Sequence, residues 1–178
     1  YRRIDISTHY DTYATHLALN FILYGNSPRY HHAANANAWH CVAPYQPGQP
    51  APDAREEAFP ALWDRTPQTL VELLLNSRCE RVQEFAAKAF RANPDNGKLL
   101  DTAQLIALLA LPYPVTNALA LDLAAQRYTP GKPDFELVRA LLNCPYQPAR
   151  EMARSWIAKS AATFMQDAAF VCDLIFSS

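Results

Sequence analysis

An all-α superhelix of stacked helical hairpins is the fold class this sequence predicts, and three observations predict it. Apolar residues recur every 33 or 34 positions: Val71, Leu105, Val138 and Val171 form one column, Leu74, Leu108, Leu141 and Leu174 a second, and Leu75, Leu109, Leu142 and Ile175 a third. Within each copy these positions are i, i+3 and i+4, one face of a helix. A second amphipathic segment follows each of the first three copies: Val82, Phe85, Ala86 and Phe90 match Val115, Ala118, Leu119 and Leu123, then Ala149, Met152, Ala153 and Ile157. Pro112, Pro114, Pro145 and Pro148 occupy the breaks, where proline stops one helix or starts the next. One hairpin cannot bury its apolar face alone, so the copies are expected to stack on a shared core.

Taken in order, residues 7–24 read as an amphipathic helix. Ala14, Leu17, Ala18, Phe21 and Ile22 make its apolar stripe, Ser7 or Thr8 its N-cap, and Gly25 a left-handed residue after its end. Two short aromatic runs around an Asn-containing turn, over residues 28–42, predict a small β-hairpin. Pro44, Pro47, Pro50 and Pro52 make residues 43–54 an extended linker. Beyond it, Thr66-Pro67, Asp101 with Gln104, and Asp134 are helix-start signals, predicting helices from about 67, 102 and 135. The chain therefore divides into 1–54, a capping helix, hairpin and linker, and 55–178, the repeats. The first helix is expected to cap the first repeat. Residues 168–178 supply a first helix without its partner, either as a cap or because the parent protein continues. With Phe170, Val171, Leu174, Ile175 and Phe176 there, an exposed apolar patch is expected.

Composition excludes several functions. The 178 residues carry 16 Lys plus Arg against 17 Asp plus Glu, a formal net charge of −1, which argues against nucleic acid or an anionic membrane as partner. The four glycines, Gly25, Gly48, Gly97 and Gly131, are isolated, so neither a phosphate-cradling loop nor a nucleophile elbow can be built. The four cysteines, Cys41, Cys79, Cys144 and Cys172, form no CxxC pair. No apolar run approaches the ~20 residues of a membrane span. The expectation is a soluble, cytoplasmic protein without a cofactor, and the absence of an initial methionine suggests a piece of a larger one.

The segment Val82-Gln83-Glu84-Phe85-Ala86-Ala87-Lys88-Ala89-Phe90 resembles the second helix of a HEAT or armadillo-type repeat, and Ala149-Arg150-Glu151-Met152-Ala153 is similar, with the family's arginine at Arg150. The resemblance covers roughly residues 59–178 and implies a shape rather than an activity. The 33–34 period is short for that family and suits tetratricopeptide repeats, whose ending Ala89-Phe90-Arg91-Ala92-Asn93-Pro94 resembles; the Trp/Leu-Gly/Tyr set of that family's first helix is missing. The stretch from Arg55-Glu56-Glu57-Ala58-Phe59-Pro60 to Ala92-Asn93-Pro94 also resembles bacterial helical regions beside WGR-type domains, implying part of a larger regulatory protein.

The expected function is a non-enzymatic scaffold that binds a protein partner, or neighbouring repeats of its parent chain, through a groove of second helices. Its exposed residues would include Gln83, Lys88, Thr116, Arg150 and Arg154. A nucleic-acid-binding groove is the first alternative. A metal site is the second: all five histidines lie in the first 40 residues, and His31, His40 and Cys41 offer imidazole and thiolate, which suit zinc. Ligand spacings are absent, however, and neighbours such as His31 and His32 point to opposite faces of a strand, so an aromatic hairpin without metal is preferred. His9, Tyr13 and His16 share a helix face but bring no nucleophile, so no catalytic group is assigned. Cys79 and Cys144 read as small buried hydrophobes in inter-helix turns.

Overall fold

The helices of the second half start where their local signals place them, and at two of the three starts the signal satisfies an orphan backbone donor. In the computed structural model, which describes residues 2–3, 16–33, 38–46 and 49–176, α3 begins at Pro67, α5 at Thr102 and α7 at Phe135. Asp101 and Gln104 form a reciprocal capping box, and the Asp134 carboxylate accepts from the Leu137 N–H. Thr66 behaves differently from its expected role: its hydroxyl donates to the Leu62 carbonyl and closes the preceding helix. The chain is mostly helical with a small antiparallel sheet, and it separates into two compact units, Tyr1–Pro67 and Gln68–Ser178. No described helix is long and apolar enough to cross a membrane.

In the first unit, β2 (Tyr30–Ala33) and β3 (Ala38–Cys41) form the expected hairpin, pairing His31 with His40 and His32 with Trp39. A third strand, β1 (Arg2–Arg3), pairs with the other side of β3; two residues are too few for any sequence pattern to reveal. The described part of the first helix, α1, is Leu17–Tyr24; Ser7, Thr8 and Ala14 lie outside the described residues. The expected face is reversed. Phe21 and Ile22 are exposed, and the helix buries Asn20 and Leu23 instead. Since α1 reads LALNFILY, both faces are apolar, and periodicity has little with which to choose between them. Gly25 is right-handed, with φ −59°. Its requirement is space: a Cβ there would lie 2.7 Å from the Phe21 carbonyl oxygen and 2.8 Å from Ala58 Cβ.

That close approach brings residues 55–58 onto α1, and charge locks them. Arg29 and Glu56 form a buried two-pronged ion pair, Nε to Oε1 at 2.8 Å and Nη2 to Oε2 at 2.7 Å. Ser27 Oγ donates to Glu56 Oε1 at 2.6 Å, and Arg29 Nη1 donates to the Gln49 carbonyl. The burial of the guanidinium opposes its charge, but Glu56 outweighs this and raises the Arg29 pKa. Arg55 pairs with Glu57 and Asp64, tying in α2 (Pro60–Arg65). Residues 55–67, grouped with the repeats by sequence, are thus bonded into the first unit, and the division falls after 67 rather than 54.

In the second unit, α3 (Pro67–Asn76) is followed by α4 (Glu80–Arg91), a 3-10 segment (Pro94–Leu99), α5 (Thr102–Leu109) and α6 (Pro114–Arg127). Then come α7 (Phe135–Leu142), α8 (Gln147–Lys159), α9 (Ala161–Phe164) and α10 (Ala168–Phe176). Helix α5 packs on α6 and α7 on α8; α5 also meets α7, and α6 meets both α4 and α8. Leu74, Leu108 and Leu141, one column of the period, are all completely buried. Of the residues expected to form an exposed apolar end, Phe170 is not exposed and Val171 is half-buried. The Phe170 ring is buried, 5.2 Å from Phe164 and 5.4 Å from Phe135. The side chains of Leu174, Ile175 and Phe176 lie outside the described residues.

Candidate functional site

The second helices α4, α6 and α8 carry all five residues expected to line a binding groove, and the structure gives those residues different roles. Gln83 is wholly buried in the first turn of α4. Its Nε2 donates to the Leu74 and Ser77 carbonyls at 3.0 and 2.8 Å, at the C-terminal end of α3, and its Oε1 accepts from Thr116 Oγ1 at 2.7 Å. Thr116 is equally buried. Neither side chain is exposed, which corrects the expectation for both. The reason is that the last carbonyls of a helix have no partner within it, and burying them without one is costly.

The same arrangement recurs at the period of the apolar columns. Asn117 Nδ2 donates to the Leu108, Leu109 and Leu111 carbonyls at the end of α5, and Arg150 Nη1 donates to Cys144 O at 2.6 Å after α7. The donors 83, 117 and 150 are spaced by 34 and 33, as are the acceptors 77, 111 and 144. Asn117 was not singled out from the sequence, although a polar residue recurring at the apolar period is a signal that could have found it. Arg150 is half-buried and committed to this cap. Of the five, Arg154 is exposed and Lys88 half-buried.

Beside them, the meeting of α4, the 3-10 segment and α6 leaves a cleft of about 450 Å³. Its wall mixes apolar Phe90 and Leu119 with polar Asn93, Gln126 and the Arg91–Asp122 ion pair, 3.0 Å across, that bridges α4 and α6. Arg91 is therefore neutralised by Asp122. Arg127 braces the cleft's outer edge by donating to the Gly97 and Leu100 carbonyls at 2.6 Å each.

His31 and His40, opposite one another on β2 and β3, line an open cavity of about 540 Å³, and His32 also reaches its wall. His40 Nδ1 is closed to solvent and has no hydrogen-bond partner among the described residues. Cys41, next along β3, pairs with Tyr30 and so belongs to the other face. Burial pushes its thiol up, against the pull of Arg29, which disfavours the thiolate a metal would need. Among the described residues, no three His, Cys, Asp or Glu side chains gather to hold a metal ion. His9 and Tyr13 lie outside the described residues.

Cys144 is buried and its thiol is pushed up from its ordinary value of 9.0, chiefly by that burial. The folded state thus holds the proton more tightly than the unfolded chain does. The corresponding stability is intact below the unfolded thiol's range and is lost as pH climbs past about 9. Native protein treated with a thiol reagent should react at exposed Cys172 first and half-buried Cys79 next. Cys41 and Cys144 should react only at the rate of unfolding, and rapid labelling of all four would contradict their burial.

Compared with known proteins, the chain matches no family model, no curated protein and no solved structure.

Proposed function

We propose that this chain is a non-enzymatic helical-repeat module, HEAT-like in kind, that binds a protein segment along the second-helix face of its second unit. It would act as a scaffold within a larger intracellular bacterial protein. The observation that carries this reading is the cleft between α4 and α6. It sits on consecutive second helices in contact with one another, and it combines an apolar floor with a polar wall, the mixture that fixes an extended peptide. The recurring caps at Gln83, Asn117 and Arg150 support a true repeat, since three copies solve the same backbone problem at the same spacing. Specificity would come from Lys88, Arg91, Asp122, Gln126 and Arg154, with Gln83 and Thr116 holding the helices that present them.

The test is a peptide-library screen with the full chain, followed by titration of the best binder against Gln126→Trp, which fills the cleft from its exposed rim. Saturable binding that Gln126→Trp weakens at least about tenfold, with unchanged melting temperature, supports the module. Binding indifferent to Gln126→Trp, or no saturable binding, would remove the cleft from consideration. Tight binding to nucleic acid that falls steeply with salt would favour the nucleic-acid groove instead.

A further inference from the structure

We propose that His31 and His40 form a two-imidazole site for a borderline divalent transition cation of the Zn²⁺ and Cu²⁺ class. Three observations on the first unit converge. The two residues are direct partners in the antiparallel register of β2 and β3, and side chains so placed share one face of the sheet with Cβ atoms about 4.5–5.5 Å apart. That is a span two imidazoles can close around one ion whose bonds to nitrogen are about 2.0–2.1 Å. Both line the same open cavity of about 540 Å³, so an ion and its waters have access and room. Finally, His40 keeps a buried ring nitrogen, Nδ1, without a hydrogen-bond partner among the described residues, and an unmatched buried polar atom costs free energy that a bound ligand can recover.

The donor set narrows the ion. Among the described residues no carboxylate lines the cavity, which disfavours the oxygen-seeking Mg²⁺ and Ca²⁺. Neutral imidazole suits Zn²⁺, Ni²⁺ and Cu²⁺, with Cu²⁺ bound most tightly. Cys41 is excluded by its place on the opposite face; His32 also touches the cavity, but its register position pairs it with Trp39, its ring 5.7 Å away, rather than with His40. Two protein ligands are fewer than a closed structural zinc site uses, so this site is open, with water in the remaining positions. It is also a site of the folded state alone, because the pairing that brings residues 31 and 40 together does not persist in an unfolded chain. Binding therefore stabilises the fold by linkage.

The experiment titrates the full chain with Cu²⁺ and with Zn²⁺. The wild type should bind one Cu²⁺ saturably, with two nitrogen ligands in the electron paramagnetic resonance spectrum, and Zn²⁺ should raise the melting temperature. His31→Gln and His40→Gln should each weaken binding at least about tenfold, leave one nitrogen ligand and erase the Zn²⁺-dependent rise. His16→Gln and His32→Gln should bind like the wild type. Circular dichroism of the metal-free variants establishes that they fold, and the nitrogen count reads the ligands independently of stability. Absence of saturable binding, wild-type affinity in both His31→Gln and His40→Gln, or a loss that follows His32 or His16 instead would overturn the assignment.

Discussion

Glu56→Ala should unfold the first unit and leave the second folded. The Arg29 and Glu56 side chains are only 8% and 9% exposed, so removing the carboxylate strands a guanidinium in a poorly solvated site. Breaking a buried pair from one side costs about 3–5 kcal/mol, a large part of the 5–15 kcal/mol that holds an ordinary domain together. The damage spreads because Glu56 Oε1 also accepts from Ser27 Oγ, whose oxygen in turn accepts from the Arg29 and Tyr30 backbone N–H groups. Hydrogen exchange should therefore lose protection across α1, β2 and β3, with α5 and α7 unchanged. The double variant Arg29→Met, Glu56→Leu should recover much of the lost stability, since removing both charges removes the uncompensated one. If the double variant is as unstable as Glu56→Ala, the ion pair is not what the burial depends on.

Gln83→Leu should destabilise the second unit by about 3 kcal/mol, because it orphans more than one buried group at about 1–3 kcal/mol each. The isosteric change keeps the volume, so the loss reports hydrogen bonds rather than a cavity. The Leu74 and Ser77 carbonyls lose their donor and the Thr116 hydroxyl loses its acceptor. Thr116→Val, which removes the hydroxyl alone, should cost less, and in the Gln83→Leu background it should cost almost nothing because the two share one bond. Chemical denaturation of the four proteins measures the cycle. Simple additivity would contradict the shared bond, and a near-neutral Gln83→Leu would return Gln83 to the surface role its sequence suggested.

These two experiments fall on residues that the sequence presented very differently. Gln83 stood out, but as an exposed recognition residue, since a polar side chain on an amphipathic helix is ordinarily solvated. Its burial follows from the adjacent end of α3, whose carbonyls need a donor. Glu56 and Arg29 did not stand out as a pair. They are 27 residues apart, and no local spacing rule links charges at that distance. Two further basic side chains are likewise committed to partners that lie apart in sequence: Arg91 pairs with Asp122 on the next second helix, and Arg150 turns to the Cys144 carbonyl. The histidine pair was legible as residue type alone, and register supplied the rest.

The sequence by itself determined the helix starts at 67, 102 and 135, the hairpin, and the buried column through Leu74, Leu108 and Leu141. Each is set by contacts within a few residues, or by a periodicity that one helical face must bury whatever it meets. Only the tertiary structure decided which face of α1 is buried, where the two units divide, and which polar side chains are caps rather than surface. Those outcomes depend on atoms brought close from distant parts of the chain: Ala58 against Gly25, Glu56 against Arg29, the end of α3 against Gln83. A buried polar group takes whichever partner the fold delivers, and spacing along the chain does not record that choice.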